Sequence, residues 1–360
     1  MGIFLLIIFL SLTFFWAFCG FIIKKKSYKV LQNTGELGIS IIIAAKNEIE
    51  NLQKNLKTWL NLEYDNYELI IVVNNSSDES YGWLLNQVHT KLKVINIPRT
   101  PEGISAKKFA LTEGVKASQY PYIVFTDADC IPVSPQWLNY FNQSFQNQND
   151  IVFGISPYKQ YSTLLNGFIQ WETFFTAVLY VTAALINKPY MAVGRNWGMR
   201  KEIFFKEKGF EKHLNIPSGD DDLFIQNLQN TYPIDVLLYK NSQTVSEPQK
   251  SWSTYLHQKT RHLSSSKFYP FKTKFKLFIL NFIIFSSYFY IIQLNIIFKN
   301  KILFLTLCLM YLTKFISIYT IRKIIGMQIP ILYYFVGDIV LLMFQVMILP
   351  ISYLKKITWK

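Results

Sequence analysis

Cysteine is nearly absent. The three that occur, Cys19, Cys130 and Cys308, lie far apart, and two of them sit inside apolar runs. This excludes a disulfide framework and a cysteine-type zinc centre, and it suits a catalytic face in the cytoplasm. Glycine-rich phosphate loops are missing as well. Neither G-x-x-x-x-G-K-[ST] nor G-x-G-x-x-G occurs, so phosphate-loop nucleotidases and dinucleotide-binding folds lack the glycines they need. No internal repeat and no low-complexity linker is visible.

Acid is missing from both ends of the chain. Residues 27–265 carry 22 Lys or Arg and 22 Asp or Glu, whereas the remainder holds 15 basic residues against one acid, Asp338. The formal charge of +14 therefore flanks or interrupts apolar runs, the pattern of attachment to anionic lipid and not of a nucleic-acid partner.

What the ends do have is apolar length. Residues 3–23, "IFLLIIFLSLTFFWAFCGFII", are uncharged, and roughly 20 such residues cross a bilayer. No basic stretch precedes them and no small-residue cleavage site follows, which argues against a cleaved signal peptide. Leu6 stands where a myristoylation signal needs Ser or Thr. Residues 1–26 read as a signal anchor, with Lys24, Lys25 and Lys26 holding its end in the cytoplasm. Three more apolar runs, about 277–298, 302–321 and 331–354, follow an interfacial stretch of aromatics and lysines, "SKFYPFKTKFK" (266–276). Residues 266–360 are thus expected to form the membrane-embedded end. Residues 164–186 are also apolar, but Gln170 and Glu172 point to an interfacial helix.

Two charges interrupt the last runs. Lys314 lies seven residues before the end of one, and Asp338 seven after the start of the next. Both are expected on the order of 10 Å below the cytoplasmic surface at 1.5 Å per residue. Ionisable residues at that depth are rarely left unpaired, so the two are expected to meet; the alternative is that Lys314 snorkels alone. This topology leaves Lys355, Lys356 and Lys360 outside, against the positive-inside rule, which keeps a re-entrant or interfacial last run open.

The middle of the chain alternates. "GISIIIAAKNE" (38–48) is a β-branched run with a polar end, and 49–62 has helical spacing. A strand reading "YELIIVVNNSSDES" (67–80), a third strand (92–98), a helix (106–118) and a fourth strand (122–130) follow. Near-continuous apolar strands alternating with helices predict an α/β fold with a mostly parallel sheet covered on both faces. Such sheets bind ligands beyond the carboxyl ends of their strands. Asn47–Glu48, Asn74–Ser77 and Asp127–Asp129 all fall there. Asp and Asn also favour turns, but three polar clusters at one edge point to a site.

Its chemistry is that of hard oxygen. Two close carboxylates without His or Cys suit Mg²⁺ or Mn²⁺ bridging a diphosphate, where the cation neutralises charge on a leaving group.

With these motifs the chain resembles the membrane-bound family 2 glycosyltransferases of the GT-A fold, the group of cellulose and hyaluronan synthases and ceramide glucosyltransferase. "IIIAAKNE", "VVNNSSDES", "TDADC", and the pair "SGDDDLF" (218–224) with "QKTRH" (258–262) carry the resemblance over 38–265. The resemblance implies Asp129 as metal ligand, Asp127 beside the nucleotide ribose, and Ala44, Asn47 and Glu48 lining the nucleotide end. Asn74–Asn75 replaces the usual Asp-Asp, leaving Asn75 as a candidate nucleotide contact. Lys107 matches the basic residue of a G-K-x-x-A-L segment, with Ala106 for glycine; a solvated helix lysine is the alternative. "VGRNWGMRKEIF" (193–204) resembles the segment that closes over donor sugar and acceptor, bringing in Arg195 and Asn196.

Among Asp220, Asp221 and Asp222, the family's base maps onto Asp221. Crowding by like charge tends to raise its pKa, and a helix-capping role for one of the three is the competing reading. Gln258 and Arg261 match Q-x-x-R-W and would shape the acceptor side, with His262 in place of Trp.

The resemblance implies an inverting transfer of sugar from a nucleotide sugar, a UDP-sugar first, to a lipid or lipid-linked acceptor, in a cytoplasmic GT-A domain over 27–265. A processive polysaccharide synthase is the alternative, against which four spans are few for a channel. A catalytically silent scaffold of the same fold is the third reading.

Overall fold

The computed structural model describes residues 2–26, 35–297 and 301–354. The chain divides into two compact units. A sheet unit takes the described residues of 29–159 and 187–248, and a helical unit takes those of 1–28, 160–186 and 249–355. Of the residues expected in the domain over 27–265, 160–186 and 249–265 fall in the helical unit.

Helix α1 (Gly2–Lys25) coincides with the expected anchor. The sheet unit then opens with β1 (Ile39–Ala45), α2 (Ile49–Leu60), β2 (Tyr67–Asn74), α3 (Ser80–Leu85), β3 (Leu92–Ile97), α4 (Ala106–Ala117) and β4 (Tyr122–Asp127). Every residue of β1 and β2 is buried, as covering both faces of a parallel sheet requires. The faces follow the strand period of two. Ile39, Ile41, Ile43 and Ala45 join a core with Leu52, Leu56 and Trp59 of α2, spaced to share one helical face. Trp59 meets Trp137 edge-to-face at 5.3 Å. On the opposite face Ile42 and Val72 lie under Gly114 of α4.

The sheet is mixed beyond β4. After β5 (Cys130–Pro132) and α5 (Trp137–Gln146) come β6 (Ile151–Phe153) and, past the α6 segment, β7 (Trp197–Arg200), α7 (Lys201–Lys206), α8 (Asp222–Gln226), β8 (Ile234–Val236) and β9 (Thr244–Ser246). The order is β3-β2-β1-β4-β7-β6-β8, with β5 and β9 forming a separate pair. Strands β3, β2, β1 and β4 are parallel, and β7 is antiparallel to β4 and β6. Ala44 pairs with Asp127 and with Val72, and Asn74 with Ile97. The carboxyl ends of four strands are thereby level.

The helical unit holds α1, α6 (Leu164–Leu185), α9 (Trp252–Leu263), α10 (Phe271–Ile297), α11 (Lys301–Ile325) and α12 (Leu332–Leu354). The stretch 266–276 runs into α10 without a break after Phe271. Among the described residues, α6 and α12 are long and apolar enough to cross a membrane. They differ in cover: 67% of the apolar window of α6 is buried against 33% for α12. Helix α6, expected at the interface, packs on α1 and α12. A Cβ on Gly337 would stand 2.2 Å from the Trp171 ring, so only glycine lets α12 lie this close to α6. Glu172, read as surface-seeking, instead pairs with Lys259 of α9 at 2.5 Å.

Lys314 and Asp338 meet as expected. Both side chains are 0% exposed. Lys314 Nζ donates to Asp338, to Tyr288 Oη at 2.8 Å and to the Phe335 carbonyl at 3.2 Å. Trp16 Nε1 donates to the other Asp338 oxygen at 3.2 Å.

Candidate active site

The loops after β1 and β2 are tied together. Asn47 Oδ1 accepts from the Ser77 amide at 2.8 Å, and the Asn47 amide donates to Ser76 Oγ at 3.0 Å. Glu48 accepts from Asn51 Nδ2 at 2.6 Å. Asn47 and Asn75 both take positive φ, 55° and 49°, a conformation that Asn tolerates better than most residues. Such backbone gathers at functional sites. Asn74 is buried, with its amide spent on the Ala106 carbonyl and on Thr100; Asn75 is the exposed member of the pair.

Asp127 ends β4, and Asp129 follows in a turn held from α2, where Asn55 Nδ2 donates to the Ala128 carbonyl at 2.9 Å. Lys107 then does what no spacing announced. Its ammonium stands 3.1 Å from Asp127 Oδ1 and 3.0 Å from Asp220 Oδ2, joining the strand-end carboxylates to the acidic triplet more than 90 residues on. It is neither a solvated lysine nor idle.

Asp221 takes the capping place that was the competing reading. It caps α8, accepting from the Asp222 amide at 2.8 Å, and its other oxygen accepts from the Gly194 amide at 2.6 Å. Asp222 is buried and accepts from the Leu223 amide. Gly219 carries the chain into this turn at φ +83°, and a Cβ there would lie 2.6 Å from Leu223.

The electrostatics follow from crowding. Burial, then the charges of Asp222 and Asp220, push the Asp221 carboxyl up to about 8. Burial also raises Asp127, with Lys107 opposing and Asp129 adding. Asp220 goes the other way: burial raises it, but Lys107, Lys108 and a backbone hydrogen bond together hold it below its ordinary value. Burial disfavours the Lys107 charge, but Asp127 and Asp220 overcome that and hold it above its ordinary value.

Arg195 is committed within the protein. It donates to Ser246 Oγ at 2.6 Å and to the Ser156 carbonyl at 2.8 Å, and its guanidinium lies 4.2 Å from the Tyr158 ring centre. Asn196 corrects the expectation of an acceptor contact. It is 0% exposed. Its amide donates to the Ile155 and Ser242 carbonyls and accepts from Trp137 Nε1, so it holds the segment and reaches no ligand.

Gln258, Arg261 and His262 lie on α9 of the helical unit, spaced to share one helix face. Ser251 caps that helix, and the Lys259–Glu172 pair fixes it to α6.

Chemically, the sheet unit brings together a pair of hard oxygen donors, a lysine suited to phosphate and a carboxylate poised to take a proton near neutral pH. Among the described residues no group of three or more His, Cys, Asp or Glu forms a protein-only metal cage.

Comparison with known proteins follows the same line. Residues 40–206 match the family model described as glycosyl transferase family 2. The chain is 32% identical over 117 residues to poly-beta-1,6-N-acetyl-D-glucosamine synthase of Staphylococcus epidermidis, a match covering 31% of this chain and 27% of that protein. It is 35% identical over 105 residues to beta-monoglucosyldiacylglycerol synthase of Trichormus variabilis, covering 28% and 22%. These matches span about a quarter of the relatives' length. A mannosyltransferase from Pyrobaculum calidifontis, solved in complex with GDP-Man and Mn²⁺, aligns over 95% of this chain and 98% of its own with a TM-score of 0.58 at 14% identity. That likeness carries the fold, GT-A.

Proposed function

We propose that the chain, whose residues 40–206 match the family model of glycosyl transferase family 2, transfers a sugar, with inversion, from a nucleotide sugar to a hydroxyl of a lipid or lipid-linked acceptor at a membrane. One observation carries this: Lys107 bridges Asp127 of the Asp-x-Asp turn to Asp220 beside the candidate base. A donor diphosphate and an acceptor hydroxyl would meet where that bridge lies.

The residues divide the work. Asp129 would hold a divalent cation, Mg²⁺ or Mn²⁺, whose charge offsets that of the departing diphosphate. Asp127, Ala44, Asn47, Glu48 and Asn75 would bind the nucleotide, with UDP the first candidate. Lys107 would turn from the carboxylates to the diphosphate. Asp221 takes the acceptor hydroxyl proton as the acceptor oxygen bonds to the anomeric carbon; the bond from that carbon to the diphosphate oxygen breaks, and the nucleoside diphosphate leaves with its electrons. A carboxylate whose pKa is raised to about 8 is a fitting base near neutral pH. Asp222 keeps the triplet's turn in shape.

The apolar helices and flanking lysines support placement in a membrane with the sheet unit on the cytoplasmic face. The likeness to a diacylglycerol glycoside synthase favours a lipid acceptor. The likeness to a polysaccharide synthase favours a second reading, processive transfer to a growing glycan.

One experiment decides. Purified protein is incubated with Mn²⁺, a panel of nucleotide sugars and membrane lipid, and products are weighed by mass spectrometry. A lipid carrying one sugar supports the proposal, a long polymer selects the second reading, and no turnover with any donor leaves a silent scaffold.

A further inference from the structure

Lys108, next to Lys107, is 0% exposed. Among the described residues its ammonium forms no ion pair. It donates instead to two backbone carbonyls, His213 at 2.8 Å and Ile216 at 3.0 Å. Burying an ammonium costs free energy that a Met or Leu at this position would not incur, so the charge is kept for what it holds. A third bond reinforces it, from the Ser105 amide to the Leu214 carbonyl at 2.7 Å. The start of α4 thus grips the turn 213–216 at three points.

That turn leads straight to the acidic triplet. Only Pro217, Ser218 and Gly219 separate Ile216 from Asp220. Proline has a fixed φ, and Gly219 is held at φ +83° with no room for a Cβ. So short and stiff a connection passes a shift at Ile216 on to Asp221, which already has both oxygens engaged. On the other side Lys107, one residue away in the same helix, ties Asp220 to Asp127. The two lysines lie about 100° apart around α4, so one reads the carboxylates and the other the backbone behind them.

We infer that Lys108 is a positioning residue for the transfer: its buried ammonium clamps the 213–216 turn and thereby sets where the Asp221 carboxylate stands against the Asp127–Asp129 turn. The inference rests on the glycosyltransferase reading for its kinetic consequence and on geometry alone for the clamp.

The test compares wild type, Lys108→Met and Lys108→Gln by kcat, donor KM and amide hydrogen exchange. Misplacing a reacting group by about 1 Å costs on the order of 10²-fold in rate. Lys108→Met is expected to lose about that much kcat with donor KM within about twofold. Lys108→Gln, whose amide can still donate, is expected to lose about tenfold. Exchange protection should fall across 210–222 in the Met variant and not in β1, β2 or β4. A folded Met variant with wild-type kcat overturns the inference, as does equal impairment of Met and Gln. If the Met chain does not fold, Gln decides: lowered kcat at fixed KM supports the clamp and unchanged kcat overturns it. If wild type turns over no donor, the functional reading fails separately, and unchanged protection at 210–222 in a folded variant overturns the clamp.

Discussion

Lys107 of the sheet unit and Lys314 of the helical unit both meet an aspartate away from bulk water, but their surroundings differ. Lys314 has three donors and three acceptors, Asp338, Tyr288 and the Phe335 carbonyl, and the Lys314 and Asp338 side chains are 0% exposed. Lys107 faces two carboxylates and keeps 17% of its side-chain surface, with Asp127 at 29%. A saturated, sealed cluster cannot exchange partners without losing the full cost of burying its charges. An open one with more carboxylate than cation can trade its lysine contacts for a metal or a phosphate. The same pair of residue types is a staple in one unit and a replaceable bridge in the other.

The largest expected effect tests the open cluster. Asp129→Asn should bring Mn²⁺-dependent transfer down to background, because it removes the charge of the proposed ligand. Near wild-type turnover in a radiolabelled-donor assay would break the contrast, since the cluster would then need no cation.

Next, Asp221→Asn should lower transfer by roughly 10²–10⁴-fold while donor affinity, measured by calorimetry, holds. Equal losses in both would make Asp221 a cap and nothing more. The sign of its pH dependence is fixed by the shift to about 8. The base form grows as pH rises, so wild-type kcat should climb through that pH and level off above it, and the variant should lack the climb. The folded chain keeps a proton that the unfolded chain releases near pH 4, so the Asp221 contribution to stability falls as pH rises between those values.

The sealed cluster is tested by stability. Lys314→Leu or Asp338→Leu should each cost about 3–5 kcal/mol, because each strands a buried charge. The double variant should cost less than either. Thermal unfolding in detergent reads this, and additive losses would show that the pair is not one.

The smallest effect joins the two halves. Lys107→Met leaves Asp127, Asp129 and Asp220 to repel, at about 1–3 kcal/mol. Millimolar Mn²⁺ should restore part of that Tm loss and leave Lys314→Leu unmoved. An equal response of both variants to Mn²⁺ would erase the distinction.

Much of this was legible in the residues. Strands β1, β2 and β4 lie where apolar runs end in Asn or Asp, because a strand buried on both faces has to be apolar throughout. Lys314 and Asp338 were legible for a related reason: a single charge in an apolar run stands out, and it has few ways to be satisfied. The short strands β6, β7 and β8, of three or four residues, are too brief to show a period. Glu172 marked α6 as interfacial because its partner, Lys259, lies 87 positions on. Lys108 carries no signal in the sequence, since nothing near it reveals the carbonyls of His213 and Ile216.

What the sequence determined by itself was local in origin: the alternation of strand and helix, the carboxylates at the sheet edge, the apolar helices, the neutral middle and the motifs of a glycosyltransferase. Hydrophobic periodicity and charge scarcity act over a few residues, so they can be read there. What only the tertiary structure decided was how each polar side chain is used. It made Asn196 a buried brace, Asp221 a cap with a raised pKa, Lys107 a bridge and Lys108 a clamp. A buried polar group is stabilised by the partner that meets it, and all these partners but the neighbouring Asp222 amide came from segments 20 to 113 residues away, brought into reach only by the pairing of the sheet and the packing of α4.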